Sequence, residues 1–340
     1  MKIFIYKHSK FFITHHNYFE ECTDIEAIFH YNFINNYIKV DNILNADFAY
    51  IPFFMGSMYY STSNTQTIDL WNDLYSKIIE PIEIRSKIPH IIIWGYVLYN
   101  VNLSFIPHDI YIISLESKNT FTYTHPEMYI HDRMVVVPYI LKSQSHSSAL
   151  STTVVDNDRI NTAYELSKIN FENKENIVYI GRFDEDKRNV IIDHINKYIT
   201  VKKYLPSEYD PFEIYKNSKF ALVLRGDTIT RKALFHCLAS ECIPIIYEST
   251  LIEYDNIYGG MFPSIRDIVV TIPDSDIVNL QYLNYITQHI KESLTKYNLD
   301  IIDKIKNTFE RYNYFNLIDN ISAPVYYSVK SILSSHIKNK

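Results

Sequence analysis

The stretch Ser218–Tyr247, SKFALVLRGDTITRKALFHCLASECIPIIY, gathers the residues of this chain best suited to hold a phosphorylated ligand. Arg225 follows an apolar run, and a guanidinium can grip two phosphate oxygens at once. Gly226 permits close backbone approach, and Asp227 completes the turn. Thr228 or Thr230 is expected to cap a helix running to about Ser240. The free N–H groups and dipole of such a helix favour an anion at its start. Lys232 lies one turn in and could neutralise a second phosphate. His236 is spaced i,i+4 from it and shares its face. The plainer reading makes Arg225 and Lys232 solubility charges and packs His236 between helices. Residue types alone leave both open.

These groups need a scaffold. Phe220–Leu224 and Cys242–Tyr247 read as buried strands around the turn and helix, with Cys237 and Cys242 packed in the core. In an open parallel sheet, ligands bind beyond the carboxyl ends of the strands. Phe48–Phe54, His90–Trp94, Asp109–Ile113 and Met134–Tyr139 form an earlier strand series. Ile25–Ile38 and Leu70–Ile84 carry helical spacing between them. KSQSHSSAL, Lys142–Leu150, breaks the pattern before a second series that starts at Ile177–Ile180. A helix around Arg188–Ile199 and a turn at Pro206–Pro211 follow. Three late apolar stripes predict helices from Leu280, from Ile301 with Asp300 as cap, and from Pro324. The expected organisation is α/β. Residues 1–155 form one domain, 156–170 a linker, 171–280 a second domain and 281–340 closing helices.

Composition narrows the function classes. Among 340 residues, 33 Lys+Arg against 39 Asp+Glu give a net charge of −6, which speaks against nucleic acid as a partner. The 6 glycines cannot be arranged as GxGxxG or as a P-loop. The 3 cysteines build no disulfide scaffold, and no long apolar run suggests an integral membrane segment. A soluble chain in the cytoplasm or another intracellular compartment is the expectation.

Ser218–Tyr247 resembles the signature segment of the exostosin-type glycosyltransferases: a strand, a PRG-like turn, an Arg-bearing helix, then GC(I/V)PV(I/V). Further pieces follow in the family's order. Met1–Tyr6 is similar to its opening strand, and ADFAYIPFF at Ala46–Phe54 to its ADxFxVPF segment. DRMVVVPY at Asp132–Tyr139 resembles kDvvvPy, and Tyr179–Arg182 the FxGR turn. Pro211–Phe220 and Val269–Leu280 resemble two later segments.

The resemblance implies two Rossmann-like domains facing across a cleft, as in GT-B glycosyltransferases, with the C-terminal helices packing across the junction. It implies inverting transfer of a sugar from a nucleotide donor, commonly a UDP-sugar, to a saccharide or glycoconjugate hydroxyl. No cofactor is obligatory and no metal site is expected. Arg182, Arg225, Gly226, Asp227, Thr228, Thr230, Arg231, Lys232, His236 and Glu248 become donor-side candidates. Glu127, His131 and Asp132, before the DRMVVVPY strand, are candidates for the base that activates the acceptor. Departures accompany the likeness. Leu224 replaces the proline before Arg–Gly, Ala233 the recurrent arginine, His236 an acidic residue, and Glu241 the glycine before Cys242. Arg231 could reach inward in place of the guanidinium missing at Ala233. The alternative is a catalytically inactive carbohydrate- or nucleotide-binding module descended from such an enzyme.

Overall fold

Short runs of Ile, Val, Phe and Tyr become strands because branched and aromatic side chains pack well on a pleated surface. A computed structural model describes residues 1–7, 24–53, 64–95, 105–115, 133–138, 175–181, 186–205, 209–224, 231–258, 261–275, 278–296, 299–312 and 317–338. The chain divides into two units. The first holds Met1–Ile140, Leu150–Thr153 and Asn313–Lys340, and the second holds Leu141–Ala149 and Val154–Tyr312.

In the first unit, β1 (Lys2–Ile5), β2 (Ile38–Lys39), β3 (Phe48–Tyr50), β4 (His90–Trp94), β5 (Ile110–Ser114) and β6 (Met134–Val136) pair in parallel. Their order is β2-β1-β3-β4-β5-β6. Alternate side chains of β3 feed opposite faces. Tyr50 meets Phe33 of α1 (Asp24–Asn35) at 4.7 Å between ring centroids. Ala49, Ile51 and Phe53 join Trp94 and Trp71, the latter from α2 (Asn64–Ile78), in one buried cluster. Burial on both faces explains why β3 and β4 read as unbroken apolar runs.

Two helical stripes end earlier than their spacing suggests. α1 stops at Asn35, and Ile38 instead pairs in β2. The stripe through Ile84 divides at Pro81, which precedes the short α3 (Ile82–Arg85). Proline disfavours helical backbone in the residue before it, so α2 does not run on. Arg85 of α3 is buried and donates to Asp109 Oδ2 at 2.5 Å, just before β5.

The second unit repeats the winding. β7 (Glu175–Ile180), β8 (Val201–Tyr204), β9 (Ser218–Leu222), β10 (Ile243–Tyr247) and β11 (Val270–Ile272) are parallel, in the order β11-β10-β9-β7-β8. In each sheet the second strand lies outside the first and the third lies on its other side. The switch points therefore fall between β1 and β3, and between β7 and β9. The α/β class with two Rossmann-like units expected from the sequence is what the chain adopts. β8 escaped the sequence because an edge strand with Lys202 and Lys203 lacks an apolar run. Here α4 (Asp186–Asn196) precedes β8, and α5 (Pro211–Lys216) grows out of the expected Pro206–Pro211 turn. Asp210 caps α5 by accepting the Phe212 N–H at 3.0 Å, and Pro211 suits its first position.

After α6 (Lys232–Ala239) and α7 (Glu248–Tyr258), the late chain is helical. It forms α8 (Leu280–Lys296), α9 (Leu299–Tyr312) and α10 (Ala323–Lys338). Asp300 lies inside the first turn of α9 rather than capping it, because the helix already begins at Leu299. α8 and α9 belong to the second unit, whereas α10 belongs to the first. A hairpin of β12 (Leu317–Ile318) and β13 (Ile321–Ser322) leads into α10. Its turn residues Asp319 and Asn320 have φ of 52° and 64°, the left-handed pair that tight hairpins require. The Ser322 N–H donates to Asn32 Oδ1 of α1 at 3.0 Å, and the His336 ring lies 6.1 Å from Tyr111 of β5.

Candidate functional site

β9 and β7 flank the switch point of the second unit. The chain leaves β9 through Val223 and Leu224, both buried, with the Val223 N–H held by the Ile245 carbonyl at 2.9 Å. It leaves β7 through Gly181, whose N–H donates to the Tyr204 carbonyl at 3.1 Å. A side chain there would force the Tyr179 ring to shift, since a Cβ on Gly181 would lie 2.4 Å from its hydroxyl. Arg182 follows Gly181 in the chain, and Arg225 follows Leu224. Arg182, Arg225, Gly226, Asp227, Thr228 and Thr230 lie outside the described residues, as do Glu127, His131 and Asp132.

Arg231 holds the N-cap position of α6 with extended backbone (φ −118°, ψ 130°) and makes no side-chain cap bond. This corrects the expectation that Thr228 or Thr230 caps the helix. The cap falls on Arg231 because two bonds hold that residue outside the helix. Its N–H donates to the Tyr254 hydroxyl of α7 at 3.0 Å, and its guanidinium donates to the Leu224 carbonyl. Burial pushes the Tyr254 phenol well up, so it stays protonated. Arg231 is thereby committed to backbone rather than turned wholly outward.

Lys232 opens α6 and is half-buried. His236, one turn on, is only 4% exposed, and its ring centroid lies 6.3 Å from that of Tyr215 on α5. Burial, with help from the nearby Lys232 charge, lowers its pKa to about 3. The ring is therefore neutral at ordinary pH, and its buried Nδ1 meets no hydrogen-bond partner among the described residues. Glu248 is exposed at the start of α7, past β10. Next to it, the Ser249 N–H and hydroxyl donate to Asp274 at 2.8 and 2.6 Å. Asp274 follows β11, so the carboxyl ends of β10 and β11 are joined by an acid to which the sequence reading gave no role. Tyr254 was also missed; it lies at helical spacing within α7 and carried no local signal.

Behind the site, α6 ends in a Schellman turn. The Cys242 N–H bonds the Cys237 carbonyl at 2.9 Å, and the Glu241 N–H bonds that of Leu238 at 3.3 Å. Glu241 has φ 52°, a left-handed conformation that favours glycine. Its side chain is 5% exposed, and its carboxylate pairs with Lys306 of α9 at 3.3 Å. Cys237 and Cys242 are buried thiols.

Among the described residues no three His, Cys, Asp or Glu side chains gather as metal ligands. No described helix is long and apolar enough to cross a membrane. A family profile described as Exostosin GT47 domain matches residues 1–286. No curated protein matches the sequence. Among solved structures, an α1,3-fucosyltransferase with GDP-fucose is 14% identical, with 99% of this chain and 89% of that one covered and a TM-score of 0.39. The GtfA/B complex is 10% identical, covering 85% and 57%, at a TM-score of 0.40. CalG4, the calicheamicin glycosyltransferase, is 8% identical, covering 98% of each chain, at 0.38. Those structural likenesses are too distant to add to what the two sheets show.

Proposed function

This chain belongs to the exostosin GT47 family of glycosyltransferase domains, and on that premise we propose that it is an inverting glycosyltransferase using a nucleotide sugar. The donor class is a UDP-sugar, and the acceptor is a saccharide or glycoconjugate hydroxyl. The observation that carries the reading is the reach of the family match, which includes every described strand of both doubly wound sheets. In such sheets the crevice beyond the strand ends is the ligand position. The Arg225–Thr230 segment leaves β9 at that end, and α6 begins directly after it.

The roles follow from charge. Arg225, the first N–H groups of α6 and Lys232 stabilise the negative charge that grows on the departing diphosphate. Fixed donors at that place make a metal unnecessary for the step. Glu248 faces donor hydroxyls, and Arg182, next after Gly181 in the chain, is a further donor-side group. A base on the acceptor side removes the hydroxyl proton as the oxygen attacks the anomeric carbon.

A second reading, an inactive nucleotide- or carbohydrate-binding module, is favoured by the burial of His236 and by Ala233 at the recurrent arginine position. A donor-by-acceptor screen on purified protein separates the two, with UDP release and linked sugar both measured. Transfer that persists on metal chelation supports the first reading. UDP binding by a folded protein with no product across a broad panel sinks it.

A further inference from the structure

β8 is an edge strand of the second sheet and lies next to β7, one of the two strands that flank the switch point. Its last residue, Tyr204, is tied to that place by backbone: its carbonyl accepts the Gly181 N–H at 3.1 Å, just past the end of β7. The half-buried Tyr204 ring meets the ring of Tyr209 edge to face, with centroids 5.1 Å apart and planes at 81°. Tyr209 is 48% exposed. Its backbone is anchored too, since the next residue, Asp210, caps α5. A ring held in place yet open to water loses little freedom when a second flat ring lies on it. On the other side of the switch point, the chain beyond β10 and β11 carries Glu248, Ser249 and Asp274. The two sides of the crevice therefore differ in chemistry, aromatic beside β8 and acidic beside β10.

We propose that Tyr209, braced by Tyr204, is the platform on which the base of the nucleotide donor stacks. The inference rests on the glycosyltransferase reading and says how the donor lies along the second unit. A nucleotide sugar carries a flat base on one side of its diphosphate and a hydroxyl-rich sugar on the other. The diphosphate takes the middle, beyond β9 and β7, where the Arg225–Thr230 segment leads into the start of α6. The base goes to the ring beside β8, because every base has a π-face that an aromatic side chain can cover. The sugar goes to Glu248, whose carboxylate accepts hydrogen bonds from hydroxyls. Neighbouring strands lie about 4.8 Å apart, so the three steps from β8 to β10 span about 14 Å, the reach of an extended nucleotide sugar. Stacking tolerates any base, so Tyr209 supplies affinity and orientation rather than a choice of uracil. Tyr204 is a positioning residue, because it acts through the Tyr209 ring.

The test uses the full chain and calorimetry, with UDP, GDP and ADP as nucleotide probes and inorganic pyrophosphate as the probe without a base. Tyr209→Ala should weaken whichever nucleotide the wild type binds by roughly 5- to 150-fold. Tyr209→Phe and Tyr209→Trp keep a flat ring, so their affinities should stay within about threefold of wild type. Tyr204→Leu removes the brace and should cost a smaller factor, about 2- to 10-fold. Pyrophosphate affinity should be the same in every variant, a split that a merely structural role would not produce. A folded Tyr209→Ala protein with wild-type nucleotide affinity overturns the platform and leaves the transferase reading intact. A loss in Tyr209→Phe as large as in Tyr209→Ala, or an equal loss of pyrophosphate binding, also overturns it. A wild type that binds none of the three nucleotides removes the donor reading, and this inference with it.

Discussion

The guanidinium of Arg231 donates to the carbonyl of Leu224, so the residues on either side of the 225–230 segment are clasped together. The clasp fixes how far apart the ends of the proposed donor segment stand. Arg231→Met removes it while leaving the backbone bond to Tyr254. Thermal and urea unfolding should show a loss of about 1–2 kcal/mol, and calorimetry should show UDP bound roughly 5- to 30-fold more weakly. Unchanged UDP affinity would separate the clasp from donor binding.

Arg225→Ala tests the phosphate grip itself. Loss of a charge-assisted bond should weaken UDP binding by roughly 1.5–3 kcal/mol with little effect on unfolding. Equal calorimetric affinities would remove Arg225 from the site.

Glu241 offers a backbone test. Glu241→Ala and Glu241→Gly both lose the pair with Lys306, but only glycine relieves the left-handed backbone. The glycine variant should be the more stable by about 1 kcal/mol, the reverse of their order inside a helix. Urea midpoints on the two proteins decide it.

Gly181→Ala should destabilise the second unit by about 1–3 kcal/mol, since the new methyl collides with a buried tyrosine. Tyr179→Phe should not rescue it. The ring carbon bearing the hydroxyl already lies 2.6 Å from the methyl position, so deleting the oxygen leaves the clash. Recovery in the double variant would mean that the ring moves aside.

Histidine burial sets an acid limit. His236 is lowered to about 3, and His30 and His90 to about 4, each mainly by desolvation. The unfolded chain binds protons near pH 6.5 while the folded chain does not, so stability is present above that pH. It falls as the pH drops from there toward the folded values. Each histidine should cost about 2 kcal/mol at pH 5. Melting temperature should therefore fall steeply between pH 6.5 and 4, and His236→Leu should flatten part of that slope. A flat profile in the wild type would contradict the burial account.

The sheets were legible because β4, β5, β9 and β10 are apolar on both faces and bounded by turns. β2 and β8 were not, since edge strands need only one dry face. The donor region was legible as a strand–turn–helix unit, but its internal bonds were not. Arg231 reaches a backbone carbonyl seven residues back, and a carbonyl has no sequence signature. His236 was ambiguous for another reason: every residue from Leu234 to Ser240 is buried. Helical spacing cannot choose an inner face on a helix that has no outer one. Glu26 and Gly95 meet across 69 positions, beyond any local pattern.

The return of α10 to the first unit makes that unit discontinuous in the chain. Its sheet is synthesised before the second unit, yet the helix that packs against Tyr111 of that sheet is made only after the second unit is complete. A growing polypeptide must therefore carry an incomplete first unit until Ala323–Lys338 emerges, while the second can finish earlier. Stop codons or bulky fusions placed before Ala323 would injure the amino-terminal sheet and spare the nearer one.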